Sequence, residues 1–299
     1  MGRAGVTALQ EGVISHSSRA TMTDRWWLFA RYARDELELR DMRRITTDHL
    51  RQYADHLKSQ LDRGEIAAST AQNRLSAVNR VMEIARGDRV VRLDPVRGAN
   101  LPQRSGIAMT DHSMSDADHA NTVASVDGRL AAQLELQRQL GLRFEESCKS
   151  NPRALLAQAE TRGIVRIEDG TKGGRPREVP ITGEHQIAAL RQAVAIQGSH
   201  RSMIPADLTY SQYRETCYQH GISFHAERHF YAQHRYEALA GAACPVAAGV
   251  SHGAAHHTHL ASVLGVSLSE AREIDRGARE QVAAELGHGR IDVTNAYLG

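Results

Sequence analysis

The residues with the most chemical content close the sequence: Leu286-Gly287-His288-Gly289-Arg290-Ile291-Asp292-Val293-Thr294-Asn295-Ala296-Tyr297-Leu298-Gly299. A tyrosine hydroxyl has an ordinary pKa near 10, so only about one in a thousand is ionised at neutral pH. It becomes a nucleophile beside a base or in a strongly positive site. Upstream, Gly141-Leu142-Arg143 with Glu146, and His225-Ala226-Glu227-Arg228-His229, supply guanidiniums and imidazoles. Gly170-Thr171-Lys172-Gly173 sets a lysine in a turn. Two arginines can fork onto the non-bridging oxygens of a phosphate and stabilise a pentacoordinate transition state. A histidine within reach adds a donor, and a lysine on a mobile hairpin can protonate a departing 5′ oxygen. These residue types suit phosphoryl transfer from DNA to a side chain, with the guanidiniums doing the electrostatic work that a metal does elsewhere.

Each residue alone also has a plainer reading. Arg143 could pair with a carboxylate in a helix hairpin, Lys172 could be a solvated turn residue, and Tyr297 a surface residue near a frayed end. His225 and Arg228, three apart on a helix, could form a surface pair. The order of the motifs favours the chemical reading. Leu-Gly-His-x5-Thr-x2-Tyr resembles the C-terminal active-site box of the tyrosine recombinases, the phage-integrase family. Gly-Leu-Arg-x2-Glu, the hairpin lysine and His-x-x-Arg-His precede it in that family's order.

The resemblance implies roles. Tyr297 attacks and becomes linked to the 3′ phosphate; Arg143, Arg228 and His288 hold that phosphate. Lys172 is the general acid, His225 a proton acceptor or donor, His229 structural, and Glu146 a brace. It further implies site-specific strand exchange on double-stranded DNA for integration or excision of a mobile element. A homo-tetramer on paired sites would perform it, with accessory DNA-bending proteins among the candidate partners and no cofactor, metal or ATP. The alternatives are a type IB topoisomerase-like relaxing enzyme and a non-catalytic DNA-binding regulator derived from a recombinase. Two features depart from the family pattern. Residues 242–267 insert a long stretch containing His252, His256, His257 and His259. The cluster invites a zinc reading, but a flexible surface insertion is the expectation. Many family members also continue past the tyrosine with a helix that docks on a neighbouring protomer, whereas here two residues follow it.

The elements that must position these groups can be read from periodicity. At 299 residues the chain predicts two domains. Lys and Arg number 37 against 35 Asp and Glu, so any DNA-facing surface must arise by local segregation of charge. Cys148, Cys217 and Cys244 are widely spaced, which fits reduced thiols rather than a disulfide framework. No apolar run is long enough to span a bilayer, and the N-terminus lacks a signal-peptide core, so the expected location is cytoplasmic, associated with the nucleoid.

Residues 1–18 show no periodicity and are expected to be irregular. A helical domain over 19–102 follows, built on Trp26, Phe29 and Ala33, then Leu50, Tyr53 and Leu57, then Leu75, Val78 and Met82. On the other faces of its third helix lie Arg74, Asn79, Arg80 and Arg86. Such a row is either a solvated face or one laid on DNA phosphates, which makes Arg74, Arg80 and Arg86 the candidate DNA-binding residues. Residues 103–118 read as a linker. The catalytic domain, 119–299, is expected to be mostly helical, with one hairpin formed by Ile164-Val165-Arg166-Ile167 and Glu178-Val179-Pro180-Ile181. The predicted class is mainly α (α+β).

Overall fold

The structure is a computed structural model that describes residues 1–12 and 16–299. It separates into two units, Met1–Ser105 and Gly106–Gly299. The first holds α1 (Gly2–Glu11), α2 (His16–Asp35), α3 (Thr47–Asp62) and α4 (Ala68–Arg86). The apolar stripes meet as their spacing requires. Trp26, Phe29 and Ala33 of α2 pack with Leu50, Tyr53 and Leu57 of α3 and Leu75, Val78 and Met82 of α4. Phe29 stands edge-on to Tyr53 with ring centroids 5.0 Å apart, the geometry that the ring quadrupoles favour. A Thr46–His49 capping box starts α3 and Gly87, at φ +71°, ends α4.

Three features of this unit differ from the sequence reading. Residues Gly2–Glu11 form a helix where an irregular terminus was expected; residues 13–15 of that stretch lie outside the described residues. Two glycines explain it. A Cβ on Gly5 would lie 2.1 Å from the Trp26 indole, and the Gly2 carbonyl accepts the Trp26 Nε1 hydrogen at 2.9 Å. Close docking on the tryptophan, rather than helix propensity, makes this helix. Asn79, placed with the surface row, is buried. Its amide pins the Leu93 backbone at 2.7 and 3.0 Å. The linker is also shorter than its composition implied. Arg104 bonds Gln72 at 2.9 Å, while Ala108 N–H already donates to Asn295 at 2.8 Å in the second unit.

The second unit runs α5 (Asp116–Ser125), α6 (Gly128–Leu140), α7 (Phe144–Lys149) and α8 (Pro152–Arg162), then β1 (Ile164–Ile167) and β2 (Arg177–Pro180). It continues through α9 (Glu184–Gln197), α10 (Tyr210–Tyr218), α11 (Phe224–Ala240), α12 (Pro245–Ala248), α13 (Ala254–Leu264), α14 (Leu268–Glu285) and α15 (Asn295–Leu298). The strands pair antiparallel, from Ile164 opposite Pro180 to Ile167 opposite Arg177. Helix α6 is buried on two sides: Leu130 and Leu134 face Tyr213, Cys217 and Phe224, while Leu136 and Leu140 join the main core. That core also takes Val165, Val179, Tyr236, Val282 and Leu286.

The histidine-rich stretch is no loose insertion. It forms α12 and α13, and His256 is fully buried, its Nε2 2.9 Å from the Tyr236 hydroxyl. Tyr236 in turn donates to Asp275 at 2.6 Å. Polar burial therefore organises a segment that has little apolar periodicity to show. The same region braces the end of the chain. His252 Nδ1 lies 2.9 Å from the Gly299 carbonyl, and Arg279 bonds both that carbonyl and Asn295.

A buried charge cluster fastens α5 to α11. His119 contacts Glu227 at 2.7 Å and Glu135 at 2.8 Å. Arg138 bridges Glu227 at 2.7 Å and Asp116 at 2.5 Å. Burial lowers the His119 pKa, but its hydrogen bonds to the two glutamates, Glu135 and Glu227, outweigh it and push the value up to about 9. A histidine raised above its unfolded value near 6.5 stabilises fully below that pH and loses its contribution as pH climbs through about 9. The melting temperature of the wild type should therefore fall between pH 6.5 and 9, by an amount reflecting at most about 3 kcal/mol. His119→Gln should flatten that slope. Parallel slopes for the two proteins, followed by circular dichroism, would assign the loss elsewhere.

Candidate active site

Helix ends bring the chemical residues together. Gly141, at φ +60°, closes α6 and lies against the Tyr231 ring, where a Cβ would come within 2.5 Å. The chain then turns so that Arg143 caps α7 and its own N–H donates to Glu146 at 2.7 Å. Its guanidinium returns to the same carboxylate at 2.7 Å and reaches the Leu286 carbonyl at 3.4 Å. Leu286 caps α14, so its oxygen is one of the helix-end carbonyls that lack a partner within the helix. Arg228 on α11 uses it too, at 2.5 Å, and bonds the Gly141 carbonyl with its other terminal nitrogen.

Tyr297 lies in α15, entered through a 3₁₀ turn over Ile291–Thr294. Asp292, within that turn, pairs with Arg290 at 2.6 Å. The tyrosine is 6% exposed, and its hydroxyl accepts from Arg228 Nε at 3.3 Å. Three imidazoles surround the phenol ring, with centroids at 4.6 Å for His229, 5.3 Å for His288 and 5.4 Å for His225. His229, read as structural, is the nearest of the three.

The charges are lopsided. Glu146 is the buried carboxylate facing Arg143, Arg177 and Arg228. Burial would raise its pKa, but Arg177, Arg228 and Arg143 together hold it below the usual carboxylate range. Burial lowers Arg228 to about 10, still charged at neutral pH. Burial, followed by the Arg228 and Arg143 charges, pulls His288 down to about 3 and lowers His225. Burial and neighbouring imidazoles bring His229 to about 4. The result is neutral imidazoles, able to accept a proton, beside guanidiniums that need an anion. A guanidinium has five N–H donors; Arg228 engages three of them here, which leaves two.

Of the six catalytic candidates, the fold gathers Arg143, Arg228, His225, His288 and Tyr297. Lys172 stands exposed in the turn Lys172–Gly174, and among the described residues no hydrogen bond or ion pair joins it to the cluster. The hairpin base does touch α7, since a Cβ on Gly170 would sit 2.7 Å from the Glu145 carbonyl. The three candidate DNA-binding arginines of the first unit are paired: Arg74 with Gln60 at 3.1 Å, Arg80 with Glu83 at 3.1 Å, and Arg86 with Asp88 at 3.0 Å. Sequence reasoning missed Arg177, whose guanidinium is buried against Glu146 at 2.6 Å. Alternation along β2 was the available signal, because Arg177 and Val179 share the buried face.

Comparison with known proteins gives the same direction. The model of a family described as Integrase matches residues 103–234. No curated protein sequence matches the chain. Among solved structures, the Tn1549 transposon integrase in complex with transposon right end DNA aligns with TM-score 0.58 at 10% identity, covering 100% of this chain and 94% of that one. A lambda integrase dimer bound to a COC′ core site aligns with TM-score 0.50 at 16% identity, covering 92% and 76%. A lambda integrase tetramer bound to a Holliday junction gives 0.51 at 16%, covering 79% and 71%. At these identities the likeness is one of fold.

Proposed function

We propose that this chain, which carries the integrase family's sequence pattern over residues 103–234 on the fold of the tyrosine recombinases, is a site-specific DNA recombinase with Tyr297 as its nucleophile. The observation that carries the assignment is the bond from Arg228 Nε to the Tyr297 hydroxyl, with both arginines gathered on the Leu286 carbonyl. In the reaction the phenolic oxygen forms a bond to phosphorus while the bond from phosphorus to the 5′ oxygen breaks. A neutral imidazole, His225 by our assignment, takes the phenol proton. Lys172 gives a proton to the departing 5′ oxygen, and Arg143, Arg228 and His288 hold the phosphate. The 3′-phosphotyrosine conserves the bond energy, so an incoming 5′ hydroxyl can reverse the step on a new strand without ATP.

The wider reading follows from the same chemistry. Paired sites on double-stranded DNA and a homo-tetramer are the expected assembly, supported by the likeness to the lambda integrase tetramer on a Holliday junction. Integration or excision of a mobile element is the expected setting, and accessory DNA-bending proteins and a nucleoid location belong to it. Among the described residues no helix is long and apolar enough to cross a membrane. The test is covalent trapping on a library of nicked duplexes, with sequencing of the trapped DNA. An enriched sequence in an SDS-resistant adduct is the expected result, and a wild type that forms no adduct defeats the proposal. Relaxation of plasmid that lacks the recovered sequence would instead favour topoisomerase-like action.

The DNA-binding assignment of Arg74, Arg80 and Arg86 has its own check. If they exchange their present partners for phosphates, replacing all three with Ala should flatten the salt dependence by about one log–log unit per lost contact. An unchanged slope would leave them with their present partners, Gln60, Glu83 and Asp88.

A further inference from the structure

We infer that Arg177 is a positioning residue for strand cleavage, tying the Lys172 hairpin to the groups that set the two phosphate-holding arginines. The inference rests on the recombinase reading above.

Arg177 opens β2 opposite Ile167, and its side chain enters the core on the face it shares with Val179. A guanidinium there is costly unless its charge and donors are matched. Its Nη2 bonds Glu146 at 2.6 Å and the Gly141 carbonyl at 3.1 Å. Each acceptor is shared: the same Glu146 oxygen takes the Arg143 N–H, and the same carbonyl takes Arg228 Nη1. The Arg177 Cδ also lies 2.8 Å from where a Gly287 Cβ would stand, immediately before His288. One side chain therefore meets the Gly141–Glu146 turn, the partner of Arg228 and the Leu286–His288 turn, while its backbone anchors the hairpin that carries Lys172. Its Nε and Nη1 are buried without a partner among the described residues. A guanidinium kept only as an ion pair gains nothing from such a site, because unmatched buried donors oppose folding; a hub that fixes several elements at once does.

Shortening Arg177 leaves Glu146 still held twice by Arg143 but frees the strand that leads to the hairpin tip. The loss should therefore fall on protonation of the leaving oxygen more than on grip of the phosphate. A duplex with sulfur at the 5′ bridging position separates the two, because a thiol of pKa about 8.5 departs without a general acid. The experiment uses the full chain and the duplex recovered by trapping, in oxygen and sulfur forms, under single-turnover conditions, with gel-shift and melting controls. Arg177→Gln should bind DNA much as the wild type does and cleave the oxygen duplex about a hundred-fold more slowly, with most of the loss relieved by sulfur. Wild-type cleavage of the oxygen duplex, or a defect that sulfur does not relieve, overturns the inference alone. Should Arg177→Gln fail to fold, Arg177→Lys carries the test. It keeps the charge without the planar fork, so a loss of about tenfold relieved by sulfur is expected, and the same two contrary results overturn it. A wild type that forms no adduct on the oxygen duplex overturns the recombinase reading and this inference with it.

Discussion

Tyr297→Phe should bind DNA as tightly as the wild type and form no covalent adduct. The ring that packs among His225, His229 and His288 is retained, and the tyrosine is already almost fully buried. What disappears is one oxygen, which among the described residues accepts a single hydrogen bond, from Arg228 Nε. Losing that acceptor costs about 1 kcal/mol of stability, because Arg228 keeps its two carbonyl partners. The chemical loss is complete, since no other atom at that position can bond to phosphorus. The measurement is an SDS gel of protein with the recovered duplex, beside a gel-shift titration. An SDS-resistant band from the Phe variant would end the assignment of Tyr297 as nucleophile.

The second large effect belongs to the arginines. Charge builds on the phosphate oxygens only as the phenol attacks, so Arg143 and Arg228 should serve the transition state more than ground-state binding. Losing one such donor costs about a hundred- to a thousand-fold in rate, roughly 3–4 kcal/mol. Lysine should rescue poorly, because it keeps the charge without the bidentate fork. The two positions differ in side effects. Arg143 retains 24% side-chain exposure whereas Arg228 has none, and Arg228 satisfies two buried carbonyls. Arg228→Lys should therefore also lower the melting temperature, while Arg143→Lys gives the cleaner kinetic result. Single-turnover cleavage by both variants, with DNA affinity and melting alongside, checks the expectation. Near-normal cleavage by both would make these arginines structural and remove the main support of the mechanism.

The hairpin was legible because two β-branched runs flank a turn of glycines around Lys172, and strand pairing needs little more. The helices of the first unit were legible because Trp26, Phe29, Leu50, Tyr53, Leu75 and Val78 repeat at helical spacing and bury one face each. Where the signal was polar or glycine-borne, periodicity was silent. Helix α1 depends on glycines that admit two indole rings, and a sequence shows these only as breakers. Helix α13 depends on His256 meeting Tyr236, and through it Asp275, from helices far along the chain. At the site, residue types and motif order pointed to the cluster around Tyr297. Nothing local showed Asn79 to be a buried latch, because such residues more often face water, and Arg177 betrayed its inward turn only through its alternation with Val179 along β2.

The carbonyl end of α14 has a consequence for how the guanidinium cluster tolerates change. An α-helix carries a partial negative charge at its C-terminus, about half an elementary charge, spread over its last free carbonyls. Here that pole is the Leu286 oxygen, and both Arg143 and Arg228 point at it. It adds main-chain negative charge where the Glu146 carboxylate faces three guanidiniums. A main-chain acceptor cannot be deleted by replacing the Leu286 side chain, so the cluster is insulated from point substitution there. Its weak point is the path of the helix instead. Whatever rotates or unwinds the last turn of α14 moves the acceptor of both arginines at once, in a single concerted displacement.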